Sequence, residues 1–190
     1  MIVDLGTGDG RAVLAAAAAD RRALVVGLDA DASAMAEASR RAARPARKGG
    51  LPNALFVVAS AEAPAPELSG VADLVTVHFP WGSLLRGVLG IDDAAARGIS
   101  ALPRPEMGLI DAFVSVTARD GLDGVGVLDA TALDPLAGAH RRTGLELVSA
   151  TPASVDDVRA TRSSWGRRLL ASDSDRPVWR LRLRRRRRSD

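Results

Sequence analysis

Short apolar runs alternate along the chain with alanine-rich or polar segments. Most of these runs have the length of a buried strand and end at a glycine or an acidic residue. The segment that follows the first run, Arg11–Ala19, is rich in alanine, the strongest helix former. The alternation predicts strands at Ile2–Leu5, Leu24–Leu28, Ala54–Val58, Asp73–His78, Gly108–Val116, Leu145–Val148 and Val178–Leu183.

The segments between these strands predict helices. Asp31 or Ser33 can cap a helix that continues through Met35 to about Ala43 and ends before Pro45. Other helices are predicted at Arg11–Ala19, Leu84–Leu89, Asp92–Leu102 and Asp134–Thr143. Loops are predicted at residues 119–126 and between the sixth and seventh strands.

Repeated strand–helix–strand units are typical of an α/β fold. We therefore predict a Rossmann-like, mostly parallel seven-stranded sheet with helices on both faces. The last strand, Val178–Leu183, alternates with period two, as an edge or half-exposed strand does. One domain is expected over residues 1–183, followed by an arginine-rich tail, 184–190, that we expect to be disordered. In such a fold the ligand site lies beyond the carboxyl ends of the strands.

The composition excludes several classes of chemistry. The chain has no cysteine and no tyrosine, and its histidines are His78 and His140, so disulfides and thiolate sites are excluded and no metal is expected. Basic residues number 26 and acidic residues 23, but five arginines form the run Arg184–Arg188, a local charge of the kind that contacts polyanions.

No apolar run approaches the ~20 residues that span a bilayer. The N-terminus lacks a signal-peptide pattern. We expect a cytoplasmic protein with no membrane partner.

A glycine-rich turn follows the first strand. Its G-x-G-x-G spacing differs from the G-x-G-x-x-G of dinucleotide-binding proteins. The acidic residue before it would repel a pyrophosphate, whereas it suits the ammonium of a methionyl group. Glycines here allow positive φ and a close approach of ligand to backbone. The candidate donor-binding residues of this turn are Asp4, Gly6, Thr7, Gly8 and Gly10.

Two further strand ends add to this site. Asp29 ends the second strand and is placed to accept hydrogen bonds from ribose hydroxyls. Because Asp31 is the better helix cap, we expect Asp29 to remain available for a ligand. Ala61 and Glu62 follow the third strand and are placed to flank an adenine. The pattern is typical of the S-adenosylmethionine site of a class I methyltransferase.

Two tryptophans follow strands that end at the same edge of the sheet. Trp81 comes after the fourth strand, and Trp165 lies between the sixth and seventh. Two indoles over one pocket could hold a flat base that has been flipped out of its stack. The alternative for each is packing in the core or at its rim. Trp179, on the alternating last strand, is interpreted as structural, and His78 as a strand residue rather than a base or ligand.

The motifs of the chain occur in a diagnostic order. They are Asp4–Gly10, Gly27–Asp31, Gly49–Asn53, Ala61–Glu62, Phe79–Gly87 and Ser164–Leu169. In this order the chain resembles the kanamycin–apramycin resistance methyltransferases, which modify N1 of the adenine at position 1408 of 16S rRNA. The resemblance covers nearly all of residues 1–183, and Pro-Trp-Gly-Ser-Leu-Leu is its most diagnostic element. Family members carry a short segment before the glycine motif, and the arginine tail departs from their pattern.

The resemblance implies an S-adenosylmethionine donor and action on the assembled small (30S) ribosomal subunit, giving aminoglycoside resistance. It implies that Trp81 and Trp165 hold the flipped adenine, with Ser164 helping to position it and Arg168 contacting rRNA. We expect a monomer. Helical spacing places Arg40, Arg44 and Arg47 near one face, where they could bind phosphates or form a solvated helix end. The other candidates for rRNA contact are Arg41, Lys48, Arg86 and Arg167.

Adenine N1 has an in-plane lone pair and can accept a methyl group without prior removal of a proton. The protein then has mainly to align the reactants, in keeping with a chain so poor in histidine, cysteine and tyrosine. One alternative is a methyltransferase for a small molecule or another RNA. A second is a non-enzymatic RNA-binding module, which the intact Asp4 and Asp29 disfavour. A dehydrogenase is disfavoured by the glycine spacing.

Overall fold

A computed structural model describes residues 1–117, 122, 133–172 and 176–186 of the chain. Its strands are β1 (Ile2–Leu5), β2 (Val25–Asp29), β3 (Ala54–Val58), β4 (Leu74–His78), β5 (Leu109–Val114), β6 (Leu145–Pro152) and β7 (Trp179–Arg185). Its α-helices are α1 (Arg11–Ala19), α2 (Ala32–Ala42), α3 (Gly82–Val88), α4 (Asp93–Ala101), α5 (Leu133–Arg142), α6 (Val155–Ala160) and α7 (Ser164–Ala171). Two 3-10 turns lie at Ala46–Lys48 and Pro66–Leu68.

The strands form one seven-stranded sheet in the order β3-β2-β1-β4-β5-β7-β6. The first five are parallel, whereas β7 runs antiparallel to both β5 and β6. The sheet is therefore mixed, and the prediction of a mostly parallel sheet was wrong. The reason is the connection after β6, which passes through α6 and α7 and re-enters the sheet from the same edge. The strand β7 is also internal rather than at an edge.

Helices cover both faces of the sheet, as predicted. On one face Val13 and Leu14 of α1 pack with Val25 of β2. On the other face Leu85 of α3 and Ile99 of α4 pack in the larger core cluster. Successive strand residues point to opposite faces, which is why adjacent strand positions belong to different clusters. None of the helices in the described ranges is long and apolar enough to cross a membrane.

The described part of the chain between β6 and β7 contains helices α6 and α7, where a loop was predicted. Ser154 and Asp157 form a capping box at the start of α6, and the Ser163 hydroxyl accepts hydrogen bonds from the first turn of α7. These short helices lack a long apolar periodicity, so only their capping residues could have revealed them.

Strand β7 continues two residues beyond the predicted end of the domain at residue 183. Arg184 and Arg185 belong to β7, and the Arg184 guanidinium makes two hydrogen bonds of 2.9 Å to Glu146 on the neighbouring strand. Cross-strand pairing thus places the first arginines of the run Arg184–Arg188 in the sheet, although the sequence of the run is typical of a solvated tail. Residues 187–190 lie outside the described residues. So does the predicted loop at 119–126, apart from residue 122.

Acid is expected to destabilise the fold through His140. This residue of α5 is fully buried, and its Nε2 lies 2.7 Å from the Val88 carbonyl oxygen. Burial lowers the pKa of His140, so the folded state holds the ring neutral while the unfolded chain takes up a proton below about pH 6.5. Stability is retained above that pH and lost as the pH falls, by at most about 1.4 kcal/mol per pH unit.

The measurement is thermal unfolding of the parent and of His140→Gln between pH 7.5 and 5.5, since glutamine can donate to Val88 but does not titrate. The parent is expected to lose more stability over this range than the variant. Equal pH dependence in the two proteins would show that His140 contributes nothing to it.

Candidate functional site

An open cavity of about 500 Å³ lies at the carboxyl ends of β1 to β4. It gathers residues that are far apart in the sequence. On its donor side are the predicted residues Asp4, Gly6, Thr7, Gly8, Asp29, Ala61 and Glu62. On its acceptor side are Trp81, Ser164, Trp165 and Arg168. The structure therefore brings eleven predicted site residues to one cavity.

The glycine turn after β1 has the positive φ angles that the spacing predicts. Gly8 has a φ of 55° and open space where a side chain would stand, so a ligand can approach its backbone. Gly10 is not among the cavity-lining residues. A Cβ at Gly10 would lie 2.6 Å from both Ala38 and the Phe56 ring. The role of Gly10 is therefore to let α1 and α2 pack closely on β3.

Asp29 stands at the end of β2, facing the glycine turn. Its Oδ2 accepts from the Gly8 N–H at 2.7 Å, and its Oδ1 accepts from the Asp31 N–H at 2.9 Å. Asp31 caps α2 as predicted, by accepting from Ser33 and Ala34. Asp29 is thus less available than the sequence indicated, although a carboxylate with four lone-pair positions can still accept from a ligand hydroxyl.

Asp4 is buried beneath the glycine turn at the end of β1. The Thr76 hydroxyl donates to its Oδ1 at 2.6 Å, and His78 Nδ1 lies 3.3 Å from the same oxygen. Burial raises the pKa of Asp4, but the adjacent His78 ring and the hydrogen bond from Thr76 outweigh this and hold the pKa below its ordinary value. A buried anion therefore lies under the donor side at neutral pH. The sequence did not reveal these partners, because they depend on Asp4 and Thr76 being paired across β1 and β4.

Glu62 follows β3 and faces Ser83 in the first turn of α3. Hydrogen bonds from Ser83 and Ser60 lower the pKa of Glu62, so it is a carboxylate at neutral pH. This contact joins the end of the third strand to the motif that carries Trp81. Ser83 was present in that motif, but its side-chain role was not predicted.

The two tryptophans stand on the rim of the cavity in different settings. Trp81 precedes α3 and is 81% exposed, whereas Trp165, in the first turn of α7, is 38% exposed. The Trp165 ring stacks on Phe79, with centroids 6.0 Å apart and planes 17° apart. Phe79 has a φ of 53°, a strained value for an aromatic residue. Such strain is found at functional sites more often than elsewhere.

Ser164 connects the two sides of the cavity. Its hydroxyl donates to Oδ2 of Asp9, in the glycine turn, at 2.5 Å. Asp9 was part of the glycine motif but was not a predicted site residue.

The predicted rRNA-contacting side chains are all exposed. Arg168 alone of them lines the cavity. Arg86 lies on α3 and Arg167 on α7, close in sequence to the two tryptophans. The remaining candidates lie in the last turn of α2, in the 3-10 turn that follows it and in the link between the two, namely Arg40, Arg41, Arg44, Arg47 and Lys48.

Comparisons with known proteins point to one family. A family model described as NpmA, 16S rRNA (adenine(1408)-N(1))-methyltransferase, matches residues 1–183. A 16S rRNA (adenine(1408)-N(1))-methyltransferase of Streptoalloteichus hindustanus is 38% identical over 176 residues, which are 90% of this chain and 81% of that protein.

Solved structures give the same result. The crystal structure of the 16S rRNA methyltransferase KamB is similar with a TM-score of 0.85 at 36% identity, over 95% of this chain and 85% of that one. A variant of the 16S rRNA (adenine(1408)-N(1))-methyltransferase from Catenulisporales acidiphilia, solved with cosubstrate SAM, has a TM-score of 0.86 at 31% identity, over 100% of this chain and 87% of that one. This chain belongs to the family of 16S rRNA (adenine(1408)-N(1))-methyltransferases.

Proposed function

We propose that this protein transfers a methyl group from S-adenosylmethionine to N1 of adenine 1408 in the 16S rRNA of the small ribosomal subunit, and so confers aminoglycoside resistance of the kanamycin–apramycin type. The observation that carries the proposal is that one cavity, of about 500 Å³, is lined both by the donor-side carboxylates and by the rim tryptophans. Membership of the family supplies the substrate and the position of the adenine.

On the donor side, each anchoring group has a place in the cavity. Asp29 is assigned to the ribose hydroxyls, and Glu62 with Ala61 to the adenine end. The backbone of Gly6 and Gly8 is assigned to the methionyl end, with the buried Asp4 anion beneath it favouring the positive charges there. The solved relative that contains SAM supports a donor of this kind for the family.

The bound donor supplies an electrophilic methyl carbon, whose bond to sulfur breaks as its bond to adenine N1 forms. The N1 lone pair makes the new bond, so no proton has to leave the adenine first. The carboxylates of the cavity are already engaged by Gly8, Thr76 or Ser83, which fits holding groups better than a general base. The protein then contributes mainly by aligning the reactants, which can lower the activation free energy of well-oriented reactions by ~7–11 kcal/mol.

On the acceptor side, Trp81 and Trp165 are assigned to the two faces of the flipped adenine, with Ser164 holding the helix that presents one of them. Methylation leaves a positive charge on the base, and the electron-rich faces of indoles stabilise such a charge. Phe79 lies behind Trp165 as a packed support, at a ring distance of 6.0 Å.

The exposed arginines at the end of α2 and in the segment after it, at the sheet edge away from the cavity, are assigned to rRNA phosphates, as is Arg168 at the cavity. Combined replacement of Arg40, Arg44 and Arg47 by alanine is expected to weaken binding to the small subunit. It should also make the negative slope of log K against log salt shallower, by up to about 0.9 per lost phosphate contact. The measurement is filter binding over a series of salt concentrations.

A matched control replaces the exposed pair Arg21 and Arg22, in the loop after α1 at the same edge of the sheet. Its salt slope is expected to equal that of the parent. An unchanged slope in the triple variant would show that these arginines are only a solvated surface.

The direct test offers radiolabelled donor with assembled small subunits, with large subunits and with protein-free 16S rRNA. Label is expected in the small subunit. Donor binding by calorimetry without transfer to any ribosomal particle would favour a small-molecule methyltransferase, and absence of donor binding would favour a non-enzymatic RNA-binding module. We propose further that the protein is cytoplasmic and acts as a monomer. Light scattering would measure its mass in solution and so test the monomeric state.

A further inference from the structure

A side-chain hydrogen bond joins the glycine turn to helix α7, between residues 155 positions apart in sequence. The hydroxyl of Ser164 donates to Oδ2 of Asp9 at 2.5 Å. Asp9 lies between Gly8 and Gly10 in the turn that we assign to the donor, and Ser164 immediately precedes Trp165.

We propose that Asp9 is a positioning residue that couples the donor turn to Trp165, so that the base-holding indole is set when the donor turn is in its binding geometry. This inference rests on the proposed function, because it gives a role to a residue within the same cavity. It assigns Asp9 no contact with the reacting atoms.

The first support is that Ser164 has no capping duty. The Ser163 hydroxyl already accepts from the N–H groups of Trp165 and Gly166, at 3.2 and 3.4 Å. The hydroxyl of Ser164 is therefore free to donate a hydrogen bond across the cavity, and its acceptor is the Asp9 carboxylate of the donor turn. A charge-assisted hydrogen bond of this kind is among the stronger ones in proteins.

The second support is that both partners are themselves held. The Asp9 carboxylate accepts from the Arg11 N–H at 3.3 Å, and its other oxygen lies 3.4 Å from Arg11 Nε. On the other side, the Arg167 guanidinium donates to the Ser164 hydroxyl at 3.3 Å. The contact therefore links the first turn of α1 to the first turn of α7 through a small network of polar groups.

The third support is continuity with the ribose-binding carboxylate. Asp29 holds the Gly8 N–H at 2.7 Å, Gly8 is followed by Asp9, and Asp9 holds Ser164. Trp165 comes next in the chain. A donor that engages Asp29 and the Gly8 backbone thus acts on a short, continuous set of contacts that ends at the indole. Coupling of this kind is reciprocal between the two sites.

The kinetic test compares Asp9→Ala, Asp9→Asn, Ser164→Ala and the double alanine variant in transfer to small subunits. Asp9→Ala is expected to lower kcat about ten-fold, the usual effect of one charge-assisted bond, with the donor Kd from calorimetry changed less than about three-fold. Asp9→Asn is expected to restore most of the rate, because its amide oxygen can accept from Ser164. The double variant is expected to be no slower than either single one, since both remove the same bond. Asp156→Ala, at an exposed aspartate on α6, is the control and keeps the parental rate.

A second readout does not depend on rRNA. The chain has three tryptophans, so 5-fluorotryptophan labelling gives three fluorine resonances, and Trp165→Phe assigns one of them. Donor titration is expected to shift the Trp165 resonance in the parent and in Asp9→Asn, but not in Asp9→Ala.

The outcomes separate this proposal from the proposed function. A donor-dependent shift that persists in Asp9→Ala, or additive rate losses in the double variant, would overturn the positioning role. A donor Kd weakened as much as the rate would make Asp9 a donor-binding residue instead. A parent that fails to methylate small subunits would overturn the proposed function, while the fluorine experiment would still decide the coupling.

Discussion

Replacement of Trp165 by alanine is expected to slow methyl transfer to the small subunit by roughly ten- to a hundred-fold. Base–aromatic stacking is worth roughly 1–3 kcal/mol per base, and the loss falls on the rate where stacking is made in the flipped state. Phenylalanine is expected to restore part of the rate, since it keeps an aromatic face. Donor affinity is expected to stay within about two-fold, because the ring lies on the acceptor side.

The position of Trp165 makes a stability control necessary. Its ring stacks on Phe79, so alanine also removes a packing contact. Trp81 is the cleaner site, because it is 81% exposed and its loss should leave the melting temperature almost unchanged. A parental transfer rate in Trp165→Ala would show that Trp165 only packs. A fall in both rate and folded fraction, with Trp81→Ala fully active, would also contradict the paired clamp.

Asp29→Ala is expected to raise the donor Kd by roughly ten- to a hundred-fold, the range expected for loss of a charge-assisted hydrogen bond of ~1.5–3 kcal/mol. The structure adds a second reason, since Asp29 also holds the Gly8 N–H at 2.7 Å, and the donor turn loses this support. Isothermal titration calorimetry with S-adenosylmethionine gives the measurement.

Asp31, two residues away, is the matched control. It caps α2 and lies outside the cavity lining, so Asp31→Ala should cost about 1 kcal/mol of stability and leave the donor Kd unchanged. If Asp29→Ala binds donor as tightly as the parent, the assignment of the ribose to Asp29 is wrong. Equal effects of the two substitutions on Kd would indicate a general loss of structure around α2.

The donor side of the cavity was largely predictable from sequence, for a physical reason. Each of its groups stands at the carboxyl end of a buried apolar strand or a few residues beyond it, and parallel strands bring these ends to one edge. Asp4, Asp29 and Glu62 therefore meet without any knowledge of side-chain contacts. The same rule placed Trp81 beside them.

Features that depend on long-range pairing were not predictable. The direction of β7 is set by a helical connection whose two helices are too short to show apolar periodicity. The inclusion of Arg184 in β7 depends on Glu146 lying opposite it in the sheet. The partnership of Asp9 with Ser164 depends on where α7 begins, which only the capping hydroxyl of Ser163 signals.

This chain is expected to methylate one nitrogen of one adenine in the small subunit. The most direct measurement is primer extension on small subunits incubated with the protein, with and without S-adenosylmethionine, because a methyl group on N1 blocks base pairing and stops reverse transcriptase. A strong stop immediately before adenine 1408 that appears only with the donor is the predicted result. Read-through at that adenine, in a reaction where the donor has been shown to bind, would contradict the claim.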